Sequence, residues 1–415
     1  MLRIIHTADW HLGHTLHGVS RHYEHEKFLD WLLEQMEERQ TDALVVAGDI
    51  FDSANPPTVA LSLFYRFLVE AKRRLPSVDL VLVGGNHDSP SRLEATSPIL
   101  DALGVTVIGG LGSTGSEKPD YQRLLIPLSN ADGATEAWCL AMPFLRNADL
   151  PNLDDETVDP FIEGVRSRYN DLLALARECC NEKQGLVVTG HCYMVGGELS
   201  EMSERRILGG NQHALPVNIF GDDIAYAALG HLHLAQRVAG DEHIRYSGSP
   251  IPLSLSEVNY PHQLVQLEME EGVVKEIEPL RIPREVEILR IPKGGAAPLN
   301  EVVKALTELP LDTTLPAYAY PFLEVRVLLE KPQPGLRREI DEAIADLPVR
   351  LLKVTSEYTG SGGTLADKQP ETRLEELQPE QVFLQCYQRS HEAPPSAPLM
   401  GCFHQLLESV QSEEG

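Results

Sequence analysis

Short apolar runs, each ending in a cluster of polar residues, recur along the first half of the chain. Amphipathic stretches such as HEKFLDWLLEQMEE separate them. The runs are, in chain order, LRIIHTADWH, ALVVAGDIFD, DLVLVGGNHD, GLVVTGHC and AYAALGHLH. This alternation is typical of buried strands and covering helices in a layered α/β fold. In such folds ligands bind beyond the carboxyl ends of the strands, and every polar cluster falls at such a position.

The second half of the chain has a different pattern. Shorter strands and turns fill residues 236–280, and the Pro-flanked segment PLRIPREVEILRIPKGGAAP follows. Strand and helix patterns then alternate, as in LNEVVKALTEL and FLEVRVLLE. We therefore expect a larger domain over residues 1–280 and a smaller α+β domain over residues 281–360.

Residues 361–415 predict a linker followed by short helices. The stretch TGSGGTLADKQPET is polar and rich in Gly, which is typical of a flexible linker. Two short amphipathic patterns follow, and they are too small to bury a core of their own. Their apolar face is expected to dock either on a partner protein or on the chain's own smaller domain. The candidate contacts are Leu374, Leu377, Val382 and Phe383.

Composition narrows the class of protein. Of 415 residues, 42% are hydrophobic and 23% are charged, as in globular proteins. No apolar run approaches the roughly 18 residues of a membrane span, and the first residues lack the apolar core of a signal peptide, so we expect no membrane association and a cytoplasmic location. The net charge of -27 argues against a protein that coats nucleic acid by its overall charge. Candidate local cations are Arg205, Arg206, Arg237 and Arg245.

The polar clusters contain carboxylate, imidazole and amide groups but no thiolate. Such ligands suit divalent ions such as Mn²⁺, Fe²⁺ or Mg²⁺. A single His beyond a strand is more often structural, but five consecutive clusters are hard to explain as five turns. Their number suits two ions bridged by one carboxylate, as in two-metal phosphoester chemistry. The residues concerned are Asp9, His11, Asp49, Asp52, Asn86, His87, His191, His231 and His233.

The motif series D-x-H, G-D-x-x-D, G-N-H-D, G-H and G-H-x-H resembles that of the calcineurin-like metallophosphoesterases. The resemblance implies a layered α/β sandwich that holds two divalent ions. It implies that the first ion is bound by Asp9, His11, Asp49 and His233. It implies that the second ion is bound by Asp49, Asn86, His191 and His231, with Asp49 bridging. His87 would lie beside the scissile phosphate, as a proton donor or a charge-stabilising group.

Two further carboxylates lie next to these positions. Asp52 is a candidate to orient His87, as carboxylates do for imidazoles in many sites. Asp88 could do the same, or it could cap a helix that begins in DSPSRLEA, and we favour the cap.

Longer stretches resemble a narrower family, the SbcD nuclease subunits. These stretches are HTADWHLGH, FLDWLLE, VAGDIFD, GNHDS and YSGSPIPLSLSE. The resemblance implies an Mn²⁺-dependent nuclease that works with the ATPase SbcC in DNA repair and recombination. It implies exonuclease activity on double-strand ends, endonuclease activity on hairpins and single strands, and a homodimer within a heterotetramer. The smaller domain would then be a capping domain, and the tail would bind the SbcC coiled coil.

Other functions on the same residues stay open at this point. They are a small-molecule phosphodiesterase or nucleotidase, a non-catalytic scaffold, and a structural DNA-clamp subunit. Metal dependence and choice of substrate would separate them.

Overall fold

The computed structural model describes residues 1–112, 119–153, 159–198, 214–221 and 223–359, and scattered residues between 380 and 404. Its strands are β1 Leu2–Thr7, β2 Thr15–Leu16, β3 Val19–Ser20, β4 Ala43–Ala47, β5 Asp79–Val83, β6 Val105–Ile108, β7 Leu125–Ser129, β8 Thr135–Leu140, β9 Gly185–His191, β10 Tyr226–Gly230, β11 Gln236–Arg237, β12 Ile244–Tyr246, β13 Gln263–Glu270, β14 Val273–Arg281, β15 Ile288–Ile291, β16 Ala297–Pro298, β17 Phe322–Leu329 and β18 Arg350–Tyr358. Its α-helices are α1 His22–Glu38, α2 Thr58–Arg74, α3 Pro90–Glu94, α4 Ser97–Ala102, α5 Pro160–Cys179, α6 Leu299–Thr307 and α7 Leu336–Ala343. In the part of the chain that the structure describes, no helix combines the length and apolar character needed to cross a membrane.

Two six-stranded sheets form the body of the molecule. The first has the order β14-β13-β1-β4-β5-β6, in which β1, β4, β5 and β6 are parallel. The second has the order β11-β12-β10-β9-β8-β7, in which β12, β10, β9 and β8 are parallel. The remaining pairings lie toward the margins of the two sheets, and they are antiparallel.

The core lies between the two sheets and beneath the helices. Alternate residues of β4 serve different layers: Val45 packs toward the second sheet, and Val46 packs against α1 and α2. Because both faces of the sheet are covered, all five residues of β4 are buried. This double burial explains the uninterrupted apolar runs, and the predicted layered α/β fold is confirmed.

A third, smaller sheet follows the body. In it β15 and β16 pair with one edge of β17 and β18 pairs with the other edge, all in parallel. Helices α6 and α7 pack on this sheet around a separate core that includes Val302, Val325 and Ile340. The alternation of strands and helices expected here is therefore observed. A further cluster, which contains Leu16 and Phe322, joins this sheet to the body.

Most of the predicted tail contacts lie outside the described residues, namely Leu374, Leu377 and Val382. Phe383 is described, and its ring stacks on that of Phe403 with centroids 4.4 Å apart and planes at 14°. Phe383 and Phe403 come from the two predicted helical patterns of the tail, one from each.

Candidate metal centre and active site

Four loops and one strand end converge at one edge of the two sheets. Those after β1, β4 and β5 carry Asp9, Asp49 and Asn86, and they meet the end of β9 and the loop after β10. The strands that lead into the site are parallel within each sheet, so their carboxyl ends lie at a common edge. All the sequence-predicted site residues lie at this edge.

The backbone of the site is unusual. Positive φ angles of 54°, 46°, 49° and 101° occur at Asp9, His11, Asp49 and His231. Such conformations are uncommon for residues other than Gly, cost on the order of 1–3 kcal/mol each, and cluster at functional sites. Neighbouring loops stabilise them, since the amides of Asp9 and His11 donate to the carbonyls of Gly48 and Asp49, at 3.0 Å each.

Asp9, His11 and His233 form a first group of candidate ligands. One carboxylate oxygen and one nitrogen from each ring lie within 4.8 Å of one another. All three side chains are buried. Oδ1 of Asp9 accepts the amide of His231 at 2.9 Å, whereas Oδ2 is buried and has no hydrogen-bond partner among the described residues. Because buried polar atoms normally have a partner, this oxygen fits a bound cation.

Asp49, Asn86, His191 and His231 form a second group. Nε2 of His191 lies 3.3 Å from Oδ2 of Asp49 and 2.9 Å from Oδ1 of Asn86. The same Asn86 oxygen lies 3.1 Å from Nδ1 of His231. Oδ2 of Asp49 is also 3.5 Å from Nε2 of His11, so Asp49 lies between the two groups. This set of oxygen and nitrogen donors fits two divalent ions that share one carboxylate.

Two glycines make this close approach possible. A Cβ atom on Gly85 would lie 2.2 Å from Oδ1 of Asp49, and one on Gly48 would lie 2.2 Å from Nδ1 of His191. Any other residue at either position would displace a candidate ligand. Sequence reasoning missed this role, for which the only available signal was the Gly that precedes each motif residue.

The carboxylate of Asp49 and the imidazole rings around it shift one another's pKa values. Burial opposes ionisation of Asp49, but the nearby rings of His191 and His87 hold the pKa of Asp49 well below its usual range. Burial also opposes protonation of His191, yet the Asp49 carboxylate raises the pKa of His191 to about 9. For His231 burial prevails and lowers the pKa to about 3, which keeps its ring neutral, whereas the ring of His191 would have to release a proton when an ion binds.

His87 is held beside these groups by two hydrogen bonds. Its amide donates to Oδ1 of Asp49 and its Nδ1 donates to the backbone carbonyl of Asp52, at 2.8 Å each. Oδ1 of the Asp52 carboxylate lies 3.3 Å from Nδ1 of His11. The prediction that Asp52 orients His87 stays a prediction: its carbonyl accepts from the ring of His87, and its carboxylate borders His11 and lies within 4.8 Å of a ring nitrogen of His87. Burial opposes ionisation of Asp52, but the neighbouring imidazole of His11 lowers the pKa of Asp52.

The prediction that Asp88 caps a helix is wrong. Ser89 is the N-cap residue of α3. The carboxylate of Asp88 instead accepts the amides of Ile50 and Phe51 at 3.0 Å each and that of Gly85 at 2.8 Å. These amides would otherwise be buried without an acceptor, so Asp88 joins the Asp49 loop to the Asn86 loop. Burial raises the pKa of Asp88 to about 6.

Two neighbours of the site were not predicted. Glu257 is fully buried, with Oε1 3.1 Å from Nδ1 of His233. Arg146 donates from Nη2 to the carbonyl of Asp88 at 3.0 Å. Glu257 ends the stretch YSGSPIPLSLSE, which was the only sequence signal for either residue.

The structure describes two of the four candidate surface cations. Arg237 and Arg245 both pair with Glu242, and this single carboxylate offsets one of their two positive charges. Arg205 and Arg206 lie outside the described residues.

Comparison with known proteins places the chain in a class. A family model described as calcineurin-like phosphoesterase matches residues 2–235, and one described as Type 5 capsule protein repressor C-terminal domain matches residues 283–391. The chain therefore belongs to the calcineurin-like phosphoesterases and is a metal-dependent enzyme of that class, as predicted.

The relatives are more specific. The SbcD subunit of the SbcCD nuclease from Rhodobacter capsulatus is 41% identical over 85% of this chain and 87% of its own length. Its counterparts in Escherichia coli K12 and Bacillus subtilis are 31% and 34% identical, over 92% and 65% of this chain and 92% and 67% of their own lengths. Within its class the chain belongs to the SbcD family of nuclease subunits, which confirms the narrower resemblance.

Proposed function

We propose that this chain is the nuclease subunit of an SbcCD complex and that it hydrolyses DNA phosphodiester bonds at the converging loops. The observation that carries the proposal is the arrangement of two groups of candidate ligands on either side of the Asp49 carboxylate, with the ring of His87 beside them. A structural DNA clamp or a scaffold would not need two groups of candidate metal ligands beside a histidine.

In this proposal each group holds one divalent ion. The first group is Asp9, His11, Asp49 and His233, and the second is Asp49, Asn86, His191 and His231. When bound, the two ions neutralise the charge of the phosphodiester and activate the attacking water. Imidazole, carboxylate and amide donors together support Mn²⁺ as the ion used.

His87 is the proposed catalytic side chain. Because its Nδ1 donates to the carbonyl of Asp52, the ring presents Nε2 on its other side. That atom lies 4.0 Å from Oδ2 of Asp49, next to the metal positions, and the side chain is 10% exposed. A protonated Nε2 can donate to the leaving sugar oxygen or stabilise the charge that develops on the phosphate. Asp52 is the proposed positioning residue for this ring.

A partner is required because the chain carries a net charge of -27. Electrostatic repulsion opposes DNA binding by such a chain alone. We propose that the ATPase SbcC supplies the grip on double-strand ends and hairpins, and that two copies of each subunit assemble. In this arrangement residues 1–280 form the nuclease domain, residues 281–360 form the capping domain, and residues 361–415 form the linker and SbcC-binding helices. With DNA as the substrate, the proposed compartment is the cytoplasm.

The first experiment compares cleavage of a labelled DNA hairpin, a linear duplex and a nitrophenyl phosphodiester. Wild type and His87→Ala are assayed with and without Mn²⁺, and with and without SbcC and ATP. DNA cleavage should require Mn²⁺ and His87 and should rise when SbcC and ATP are added. Turnover of the small diester alone would instead support a small-molecule phosphodiesterase, which the acidic charge of the chain also permits.

A further inference from the structure

Glu257 contacts His233 from within a buried loop. This Glu257 loop, residues 247–257, lies between β12 and β13. Both oxygens of Glu257 are in use, since Oε2 accepts the amide of Leu253 at 2.8 Å, and Oε1 accepts the hydroxyl of Ser254 at 3.3 Å and lies 3.1 Å from Nδ1 of His233. The carboxylate therefore shapes its own loop and also faces the imidazole.

This contact determines which nitrogen of His233 is available. A carboxylate next to Nδ1 favours the tautomer in which Nδ1–H donates, and this leaves the lone pair on Nε2. Two other rings have different partners at Nδ1. Nδ1 of His191 faces the carbonyl of Ala47 at 2.9 Å, and Nδ1 of His11 lies 3.3 Å from Oδ1 of Asp52, a carboxylate that is 35% exposed. Of these three contacts, only that of His233 places a fully buried carboxylate against the ring.

Arg21 also holds the Glu257 loop. This arginine is fully buried, and its Nη1 donates to the carbonyl of Pro252 at 2.6 Å. Its Nε and Nη2 donate to the carboxylate of Glu24 at 2.5 and 2.6 Å. Pro252 directly precedes Leu253, whose amide bonds to Glu257. The position of Arg21 is therefore connected to that of Glu257 through two hydrogen bonds and one peptide unit.

Arg21 also contacts the third sheet. Its guanidinium lies 5.3 Å from the ring centroid of Phe322, the first residue of β17, and that of Arg350 lies 4.0 Å from the same centroid. Phe322 is fully buried. Leu255, from the Glu257 loop itself, belongs to the same apolar cluster.

We propose that Glu257 is a positioning residue for His233. Arg21 and Phe322 then make the affinity of the first metal position depend on the position of the third sheet relative to the two large sheets. This inference rests on the proposed function, because it needs His233 to be a metal ligand. It extends that function by connecting the smaller sheet, through Arg21 and the Glu257 loop, to a residue that would bind one of the two ions.

The test is calorimetric titration of the full chain with Mn²⁺ in the absence of DNA. In Glu257→Gln one ion should bind about 10- to 100-fold more weakly, the range expected when an outer-shell partner is lost, while the other ion keeps its affinity. Unchanged binding of both ions would overturn the inference and leave the proposed function intact. A wild type that binds no Mn²⁺ would overturn the proposed function itself.

A second variant covers the case in which Glu257→Gln does not fold, as judged by circular dichroism. Glu257→Asp keeps the charge but withdraws it from His233 by one methylene, so the affinity for one ion should fall severalfold. Wild-type affinity for both ions in folded Glu257→Asp would overturn the positioning role.

The connection to the third sheet is tested with two neighbouring residues of β17. Phe322→Leu removes the ring that Arg21 contacts and should weaken the same ion severalfold. The matched control is Leu323→Ala, because Leu323 is equally buried but packs in the separate core of the third sheet. Equal metal affinities in the two variants would overturn the connection.

Discussion

At the scale of single residues, three consecutive side chains in the GNHD motif have three different roles. Asn86 faces His191 and His231 with its amide oxygen, His87 contacts the carbonyl of Asp52, and Asp88 turns to backbone amides. A tight turn directs neighbouring side chains along different vectors. In the proposed function the motif therefore combines metal binding, proton transfer and loop support within three positions.

Replacing His87 should separate chemistry from metal binding. His87→Gln should lower the rate of DNA cleavage by about 10²- to 10⁴-fold, the usual contribution of a general acid, with unchanged affinity for Mn²⁺. Single-turnover cleavage and calorimetry measure the two quantities. His243→Gln is a matched control, because His243 is exposed and bonds to the carbonyl of Ala225 far from the site. A parallel loss of Mn²⁺ affinity would show that His87 is a ligand.

Replacing Asp88 should destabilise the fold. In Asp88→Asn one of the carboxylate oxygens becomes an amide donor, so at least one of the three backbone amides loses its acceptor. We expect a loss of about 1–3 kcal/mol in the free energy of unfolding, the cost of an unsatisfied buried group. Chemical denaturation measures it, with the exposed Asp101→Asn as control. Equal stabilities would contradict the supporting role of Asp88.

At the scale of elements, the two large sheets are joined by polar contacts as well as by apolar packing. His6 in β1 is fully buried, with Nδ1 3.0 Å from the hydroxyl of Tyr226 and Nε2 3.2 Å from the carbonyl of Leu229. Both partners lie in β10. The bridge connects the strand that leads to Asp9 with the strand that leads to His231.

This bridge should make stability depend on pH. Burial lowers the pKa of His6 from 6.5 to about 3, so the unfolded chain binds a proton between these values and the folded chain does not. Stability is therefore fully present above pH 6.5 and falls as the pH drops toward 3, by roughly 2 kcal/mol between pH 7.5 and pH 5.

Denaturation of wild type and His6→Gln at the two pH values measures this contribution. The variant should be less stable at pH 7.5, but it should lose about 2 kcal/mol less on acidification, because Gln does not titrate. The other buried histidines remain in both proteins and cancel in the comparison. An identical loss in the two proteins would assign the pH dependence to other groups.

At the scale of the whole molecule, the chain is strongly acidic, although binding of its proposed substrate needs positive charge. The chain has 62 acidic and 35 basic residues, yet its proposed substrate is a polyanion. Bound divalent ions offset the charge locally, and a partner can supply the remaining attraction. The tail is the proposed attachment point, and its described residues include the stacked pair Phe383 and Phe403.

Deleting residues 370–415 should abolish association with SbcC and leave Mn²⁺ binding unchanged. The two large sheets, the third sheet and all the candidate ligands lie within residues 1–359, so the truncated chain retains its cores. Co-purification measures the first outcome and calorimetry the second. Phe383→Ala is the finer variant, since it removes only the aromatic pair. Truncated protein that still co-purifies with SbcC would place the interface elsewhere on the chain.

The sequence by itself determined the layered fold and the set of candidate metal ligands. Both depend on local signals, because a strand buried on two faces is continuously apolar and the ligands come directly after such strands. Asp9, Asp49 and His191 could therefore be located from the pattern alone.

Only the tertiary structure decided what the supporting residues do. Asp52 holds His87 through its carbonyl, Asp88 serves backbone amides, and Glu257 faces His233 from 24 residues away. A sequence pattern specifies which face a side chain occupies, but the hydrogen-bond partner of a buried polar group depends on the packing of distant segments. The same reason explains why the contact between Arg21 and Phe322 could not be foreseen, since it forms only when the third sheet packs on the body.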